Sequence, residues 1–180
     1  MMRSLIYTVL WQGAWFAGVY GAAAGNSWLG PLTALPAVLF ALWGRGHLVR
    51  PLVIALLSSV VVDGLLGLSG LCGYALGGLD GRLPAAWTLT LWVLYALAFD
   101  SSLRWSLVCR WLAVTLAVVG APAAYLGGVA IGALTMPHGK MLGALAVGIG
   151  FGVATLALAH AYKAIGNKTK PVEALPETAP

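Results

Sequence analysis

The sequence predicts an all-α polytopic membrane protein, a bundle of about six transmembrane helices with both termini on the cytoplasmic side. Three observations carry that prediction. Of 180 residues, 61% are hydrophobic and only 8% are charged, whereas roughly a quarter of an ordinary soluble domain is charged. The apolar residues form continuous runs rather than a period-two alternation, and the basic residues fall unequally on alternate connections between those runs. A small soluble globule hides only ~70% of its unfolded surface, so this much apolar surface needs lipid as its solvent.

A run near twenty residues crosses a hydrocarbon core about 30 Å thick at about 1.5 Å per residue. Runs approaching that length cover 4–24, 28–43, 51–71, 84–98, 107–134 and 141–162. The second and fourth are short, and the fifth is long enough to tilt or to contain a break. Turn chemistry separates them: Gly25-Asn26-Ser27, Gly44-Arg45-Gly46-His47, the glycine-rich 77–82 segment, Asp100-Ser101-Ser102 and Pro137-His138-Gly139-Lys140. Strands are not expected, because transmembrane barrels read as alternating ten-residue segments.

Arg3, Arg45, Arg50, Arg104, Arg110, Lys163, Lys168 and Lys170 collect on one side of this arrangement, and only Arg82 and Lys140 on the other. The positive-inside bias makes the first side cytoplasmic, and an odd number of spans would scramble the split. Trp43, Trp105 and Trp111 then fall near the inner interface and Trp28 and Trp87 near the outer one, the depth that indole rings prefer. The amino terminus also resembles a signal peptide ending in Ala22-Ala23-Ala24, but Trp11, Gln12 and Trp15 are poor company for a signal core.

Residues 1–162 therefore read as a single six-helix transmembrane domain. Residues 163–180, basic and then rich in Pro, Glu and Ala, read as a cytoplasmic tail with too little apolar surface to fold. Cys72 and Cys109 have no metal-ligand spacing and lie at opposite membrane faces, which rules out a bond within one chain. The formal charge of +5 comes from scattered residues, so nucleic acid is not an expected partner. Membrane lipids are. No cofactor or metal site is indicated, and His47 and His138 are loop residues without ligand spacing. Glycines recur at four-residue spacing at 21/25, 128/132, 139/143 and 148/152. That spacing lets helices approach closely, within the bundle or across a homodimer or other membrane partner.

Five polar residues stand out as binding candidates, and no residue qualifies as catalytic. Asp63 lies twelve positions into the third run, ~18 Å along the helix and near mid-membrane, where an ionised carboxylate costs about 2.5–3.5 kcal/mol. It must face the interior, as an ion, proton or polar-ligand site, or as a carboxyl bonded to Ser58, Ser59 or another helix. Gln12 sits at comparable depth, as its partner or as interhelical glue. Asp100 and Arg104, four apart, can pair on one helical face; Arg104 is alternatively a site for a headgroup or an anionic ligand. His160, near the inner end of the last run, reads as an interfacial residue or a relay.

Gly67-Leu68-Ser69-Gly70 resembles the GxSG signature of rhomboid intramembrane proteases. The likeness stops at four residues: Ser69 and His160 belong at opposite ends of their helices, ~25 Å apart, beyond the reach of a nucleophile and its base.

A broader resemblance rests on four segments in order: Trp11-Gln12-Gly13-Ala14-Trp15-Phe16, Val62-Asp63-Gly64-Leu65-Leu66, Ser101-Ser102-Leu103-Arg104-Trp105, and Gly120-Ala121-Pro122-Ala123-Ala124-Tyr125-Leu126-Gly127. With these, most of the chain resembles a family of bacterial inner-membrane proteins, domain of unknown function 2878. The resemblance implies a bacterial cytoplasmic membrane and supplies no activity. Three roles stay open. They are a non-catalytic accessory or scaffold of lipid metabolism or envelope upkeep, a small transporter or binding subunit with a polar midplane site at Asp63, and a membrane enzyme acting on lipid. The transporter reading draws on Pro36 and Pro122 in the middle helix of each half, as inverted repeats would have.

Overall fold

The computed structural model describes residues 2–43 and 45–168. Six helices of thirteen or more residues lie among them: α1 Met2–Ala23, α2 Leu29–Leu42, α3 Val49–Leu68, α4 Ala86–Ala98, α5 Arg110–Ile131 and α6 Lys140–Lys168. The segments Gly46–Leu68, Arg110–Ile131 and Lys140–Ile165 are long and apolar enough to cross a membrane, while α2 and α4 are shorter apolar helices. The fold is all-α, as the sequence predicts.

Polarity is distributed inside out. Leu32, Leu57, Val61, Leu65, Val119, Leu145 and Val153 are exposed, whereas Ser59, Asp63, Thr88, Ser106 and Thr155 are buried. A protein solvated by hydrocarbon needs this arrangement, because its polar side chains find partners only against one another. The most enclosed helix is α4, which packs on α1, α2 and α3. The pairs α1/α2 and α5/α6 flank it, α3 bridges α4 to α6, and α1 touches α5 only slightly.

Small residues make the close crossings. A methyl group added at Gly30 would stand 2.9 Å from the Gly18 Cα, where α1 meets α2. At Gly148 it would stand 2.9 Å from the Val118 carbonyl oxygen, where α5 meets α6, and at Gly150 it would stand 2.5 Å from Val62 of α3. The glycines at 21, 128, 143, 148 and 152 are thus occupied by contacts inside the chain, and those at 25, 132 and 139 have positive φ and turn the chain at helix ends.

Connections at the two ends are joined to each other. The Arg45 guanidinium pairs with Asp100, tying the α2–α3 connection to the one after α4. The Tyr7 hydroxyl donates to the Leu94 carbonyl and the Tyr162 hydroxyl to the Ala96 carbonyl, each at 2.8 Å. The start of α1 and the end of α6 therefore sit beside the end of α4, at the arginine-bearing end. At the opposite end, β1 (Gly73–Tyr74) pairs antiparallel with β2 (Leu134–Thr135).

Two boundaries need correction, while this two-residue ribbon of connecting chain, its backbone groups satisfied by one another, leaves the all-α expectation standing. The fifth run ends at Ile131, where Gly132 takes a left-handed cap, so Leu134 belongs to the ribbon. The 77–82 segment turns the chain between the third and fourth helices, with Leu79 and Asp80 at φ of 48° and 54° and Gly81 at 85°. The last helix continues past Tyr162 to Lys168, since Ala and Lys are good helix formers whether or not lipid surrounds them. The rest of the expected tail, with Lys170, lies outside the described residues.

Candidate functional site

The faces of α1 and α5 that look toward each other have opposite bulk. On α5 the residues at 113, 117, 121, 124 and 128 are Ala, Ala, Ala, Ala and Gly, a strip at helical spacing that fills little space. On α1 the corresponding strip is Trp11, Trp15 and Val19. Because the two helices barely touch, a cavity of about 460 Å³ opens between them, floored by Trp92, Tyr95, Phe99 and Phe151. Trp105 and Ser106 lie at its arginine-bearing end, and Trp87, Thr88 and Leu134 at the other. From Ala113 to Gly128 it follows α5 for about 22 Å by helical rise.

The wall is almost wholly apolar and aromatic. Trp92 stacks on Phe151 with centroids 4.2 Å apart, and Tyr95 and Tyr125 meet the Phe151 edge at 5.8 and 5.6 Å. The polar atoms of these rings are turned to partners behind the wall: Tyr95 bonds Thr155 at 2.7 Å, and Ser106 donates to the Leu103 carbonyl at 2.6 Å. Among the described residues, no Asp, Glu, Lys, Arg or His lines the cavity.

Asp63 stands behind that wall. On α3 the residues Pro51, Ala55, Ser59, Asp63 and Gly67, each four apart, form a buried ridge, which directs the carboxyl inward at 0% exposure. Trp92 donates its indole N–H to Oδ2 at 2.9 Å, Ser59 donates to the same oxygen at 3.3 Å, and Tyr125 donates to Oδ1 at 2.5 Å. One carboxyl thus fixes two wall rings from two different helices, α4 and α5. The Tyr74 hydroxyl is buried close to Asp63 and Tyr125, outside hydrogen-bonding geometry with any described residue. Burial, and secondarily the Asp63 charge, pushes the Cys72 thiol beside it in the connection up to about 12.

The five candidate residues do not come together. Gln12 lines the cavity and is exposed there, without a hydrogen bond to Asp63 or to any other described residue. Asp100 does not pair with Arg104: the helix ends at Ala98, so the geometry that an i, i+4 pair needs is missing, and Asp100 turns to Arg45, with His47 at 3.9 Å. Arg104 begins a short 3₁₀ turn and is exposed, and His160 is exposed on α6. Ser69 donates to the Leu66 carbonyl, while His138, which shares its pocket, bonds the Gly70 carbonyl.

Residues 4–157 match the model of a family described as Protein of unknown function (DUF2878). The chain belongs to that family. No curated protein and no solved structure matches it. The four segments that carry the DUF2878 resemblance converge on the cavity. Trp11, Gln12, Trp15, Leu103, Trp105, Gly120, Ala121, Ala124 and Tyr125 line it, and Asp63 holds it from behind. Trp92 and Arg45 were invisible as partners in the sequence, since each meets its carboxylate across a separation of dozens of residues. Of the α5 strip of small residues, only Gly128 stood out in the sequence, for its spacing to Gly132, and not as one side of a void.

Proposed function

We propose that this chain is an integral protein of the bacterial cytoplasmic membrane, both termini inside, that holds the chain of a membrane lipid in the cleft between α1 and α5. Its role is that of a non-catalytic accessory in lipid metabolism or envelope upkeep. The observation that supports this is the cleft itself: about 460 Å³, lined by aromatic and small apolar residues and set between two helices that scarcely meet. Ligand pockets of small molecules occupy about 300–1,000 Å³, and an apolar cavity of about 150 Å³ is enough to hold benzene. A slot between weakly touching helices admits its occupant sideways from the bilayer.

Two features weigh against the transporter reading. Asp63 is saturated with donors behind the wall rather than open to a polar cavity. In the first half of the chain the middle helix packs on the first, while in the second half it packs on the last, so the halves do not share the packing of an inverted repeat. For the enzyme reading, Asp100, Arg104 and His160 supply no constellation around the cleft.

The test is lipid retention. Gly120 lines the cleft and a Cβ there has nothing within 4 Å, so Gly120→Phe is chosen to place a ring in the cleft. Lipid retained by protein purified in mild detergent, and counted by native mass spectrometry, is expected to fall by at least one molecule per chain in this variant. Equal retention by a Gly120→Phe protein of unchanged thermal stability would remove the cleft from consideration.

A further inference from the structure

Within the cleft, α1 presents hydrogen-bonding groups that no described residue uses. Trp11, Gln12 and Trp15 lie on one helical face, since positions four and three apart are neighbours. Among the described residues no hydrogen bond reaches the Gln12 amide or either indole N–H. Gln12 stands ten residues from the start of α1 and eleven from its end, ~15 Å from each by helical rise, at the middle of the helix. An amide left unpaired in hydrocarbon costs several kcal/mol, while the polar atoms of Trp92, Tyr95 and Tyr125 have partners behind the wall. Gln12 is therefore the place where the wall still demands a polar group from an occupant.

Resting on the cleft reading above, we infer that the occupant is a neutral lipid carrying an oxygen function, an ester or ketone carbonyl or a hydroxyl, which Gln12 binds with help from the Trp11 and Trp15 indoles. The α1 face supplies three donor groups and one acceptor, the Gln12 carbonyl. The wall has no ionisable Asp, Glu, Lys, Arg or His among the described residues, so a charged headgroup would enter without a counter-ion, a costly state at this depth. An ordinary phospholipid keeps its esters at the interface and offers only hydrocarbon at the level of Gln12. A lipid neutral enough to lie wholly inside the bilayer offers its oxygen there.

The experiment uses the full chain in detergent micelles doped with equal amounts of methyl oleate and 1-octadecene, and quantifies both compounds bound to the repurified protein by mass spectrometry. The wild-type protein is expected to retain the ester about fivefold over the hydrocarbon, the discrimination of one net hydrogen bond. Gln12→Leu is expected to bring that ratio to about one while hydrocarbon retention holds, and Trp15→Phe, which keeps a ring and removes an N–H, to reduce it by about half. Persistence of the ratio in Gln12→Leu overturns the inference. A wild-type ratio near one with octadecene retained also overturns it and leaves the cleft reading standing; retention of neither compound defeats both.

Discussion

Replacing Asp63 tests whether the carboxyl acts as a hydrogen-bond anchor for the cleft wall rather than as a charge. In Asp63→Ala, the Trp92 indole N–H loses its acceptor at 2.9 Å and Tyr125 its acceptor at 2.5 Å. The Ser59 hydroxyl can rotate to the carbonyl one turn back on its own helix, and Tyr125 can turn away, but an indole N–H has no rotor. Leaving that buried donor unpaired costs about 1–3 kcal/mol, and losing the Tyr125 bond adds about 1 kcal/mol. Interhelical hydrogen bonds in membranes are often worth less, about 0.6 kcal/mol, so a total of about 1.5–3.5 kcal/mol is expected. Asp63→Asn keeps one oxygen for Trp92 and Ser59, and its NH₂ can donate to the Tyr125 oxygen, reversing that bond. It is expected to cost less than about 1 kcal/mol. Unfolding of the purified protein by SDS in mixed micelles, followed by tryptophan fluorescence, measures both. The reasoning fails if Asp63→Ala is as stable as the wild type, or if Asp63→Asn is as damaging as Asp63→Ala, which would make the charge the decisive property.

Glycine substitutions should divide by what their Cβ would meet. Gly148→Ala places it 2.9 Å from the Val118 carbonyl oxygen, and forcing α5 off α6 is expected to cost about 1–3 kcal/mol. Gly13→Ala meets nothing within 4 Å, and in a helix interior it is expected to stabilise by up to about 1 kcal/mol; thermal denaturation of the two variants should show opposite signs. The cysteines should differ in reactivity. Cys109 is exposed, while Cys72 is 1% exposed with its thiol pushed up to about 12. A raised value leaves the thiol protonated at neutral pH, so a membrane-impermeant maleimide should modify Cys109 and spare Cys72 throughout pH 7 to 9. Modification in inside-out vesicles but not in intact spheroplasts is expected from the proposed orientation, and the reverse pattern would invert the topology.

Composition determined that the chain needs lipid around it, because an 18.6 kDa protein with 61% hydrophobic residues has more apolar surface than a soluble core can hide, and its continuous apolar runs determined that it is a helical bundle. Helix positions followed from run length and turn residues, which are local properties. The inward direction of Asp63 was also legible, since a carboxyl surrounded by apolar sequence has few other places to go. Only the tertiary structure decided which donors meet it, why Asp100 takes Arg45 rather than Arg104, and where the bundle stays open. Those outcomes depend on helices far apart in the chain, and on a difference in bulk between the α1 and α5 faces. Hydropathy does not register that difference, because Ala, Trp and Val line a cleft and fill a core with equal ease.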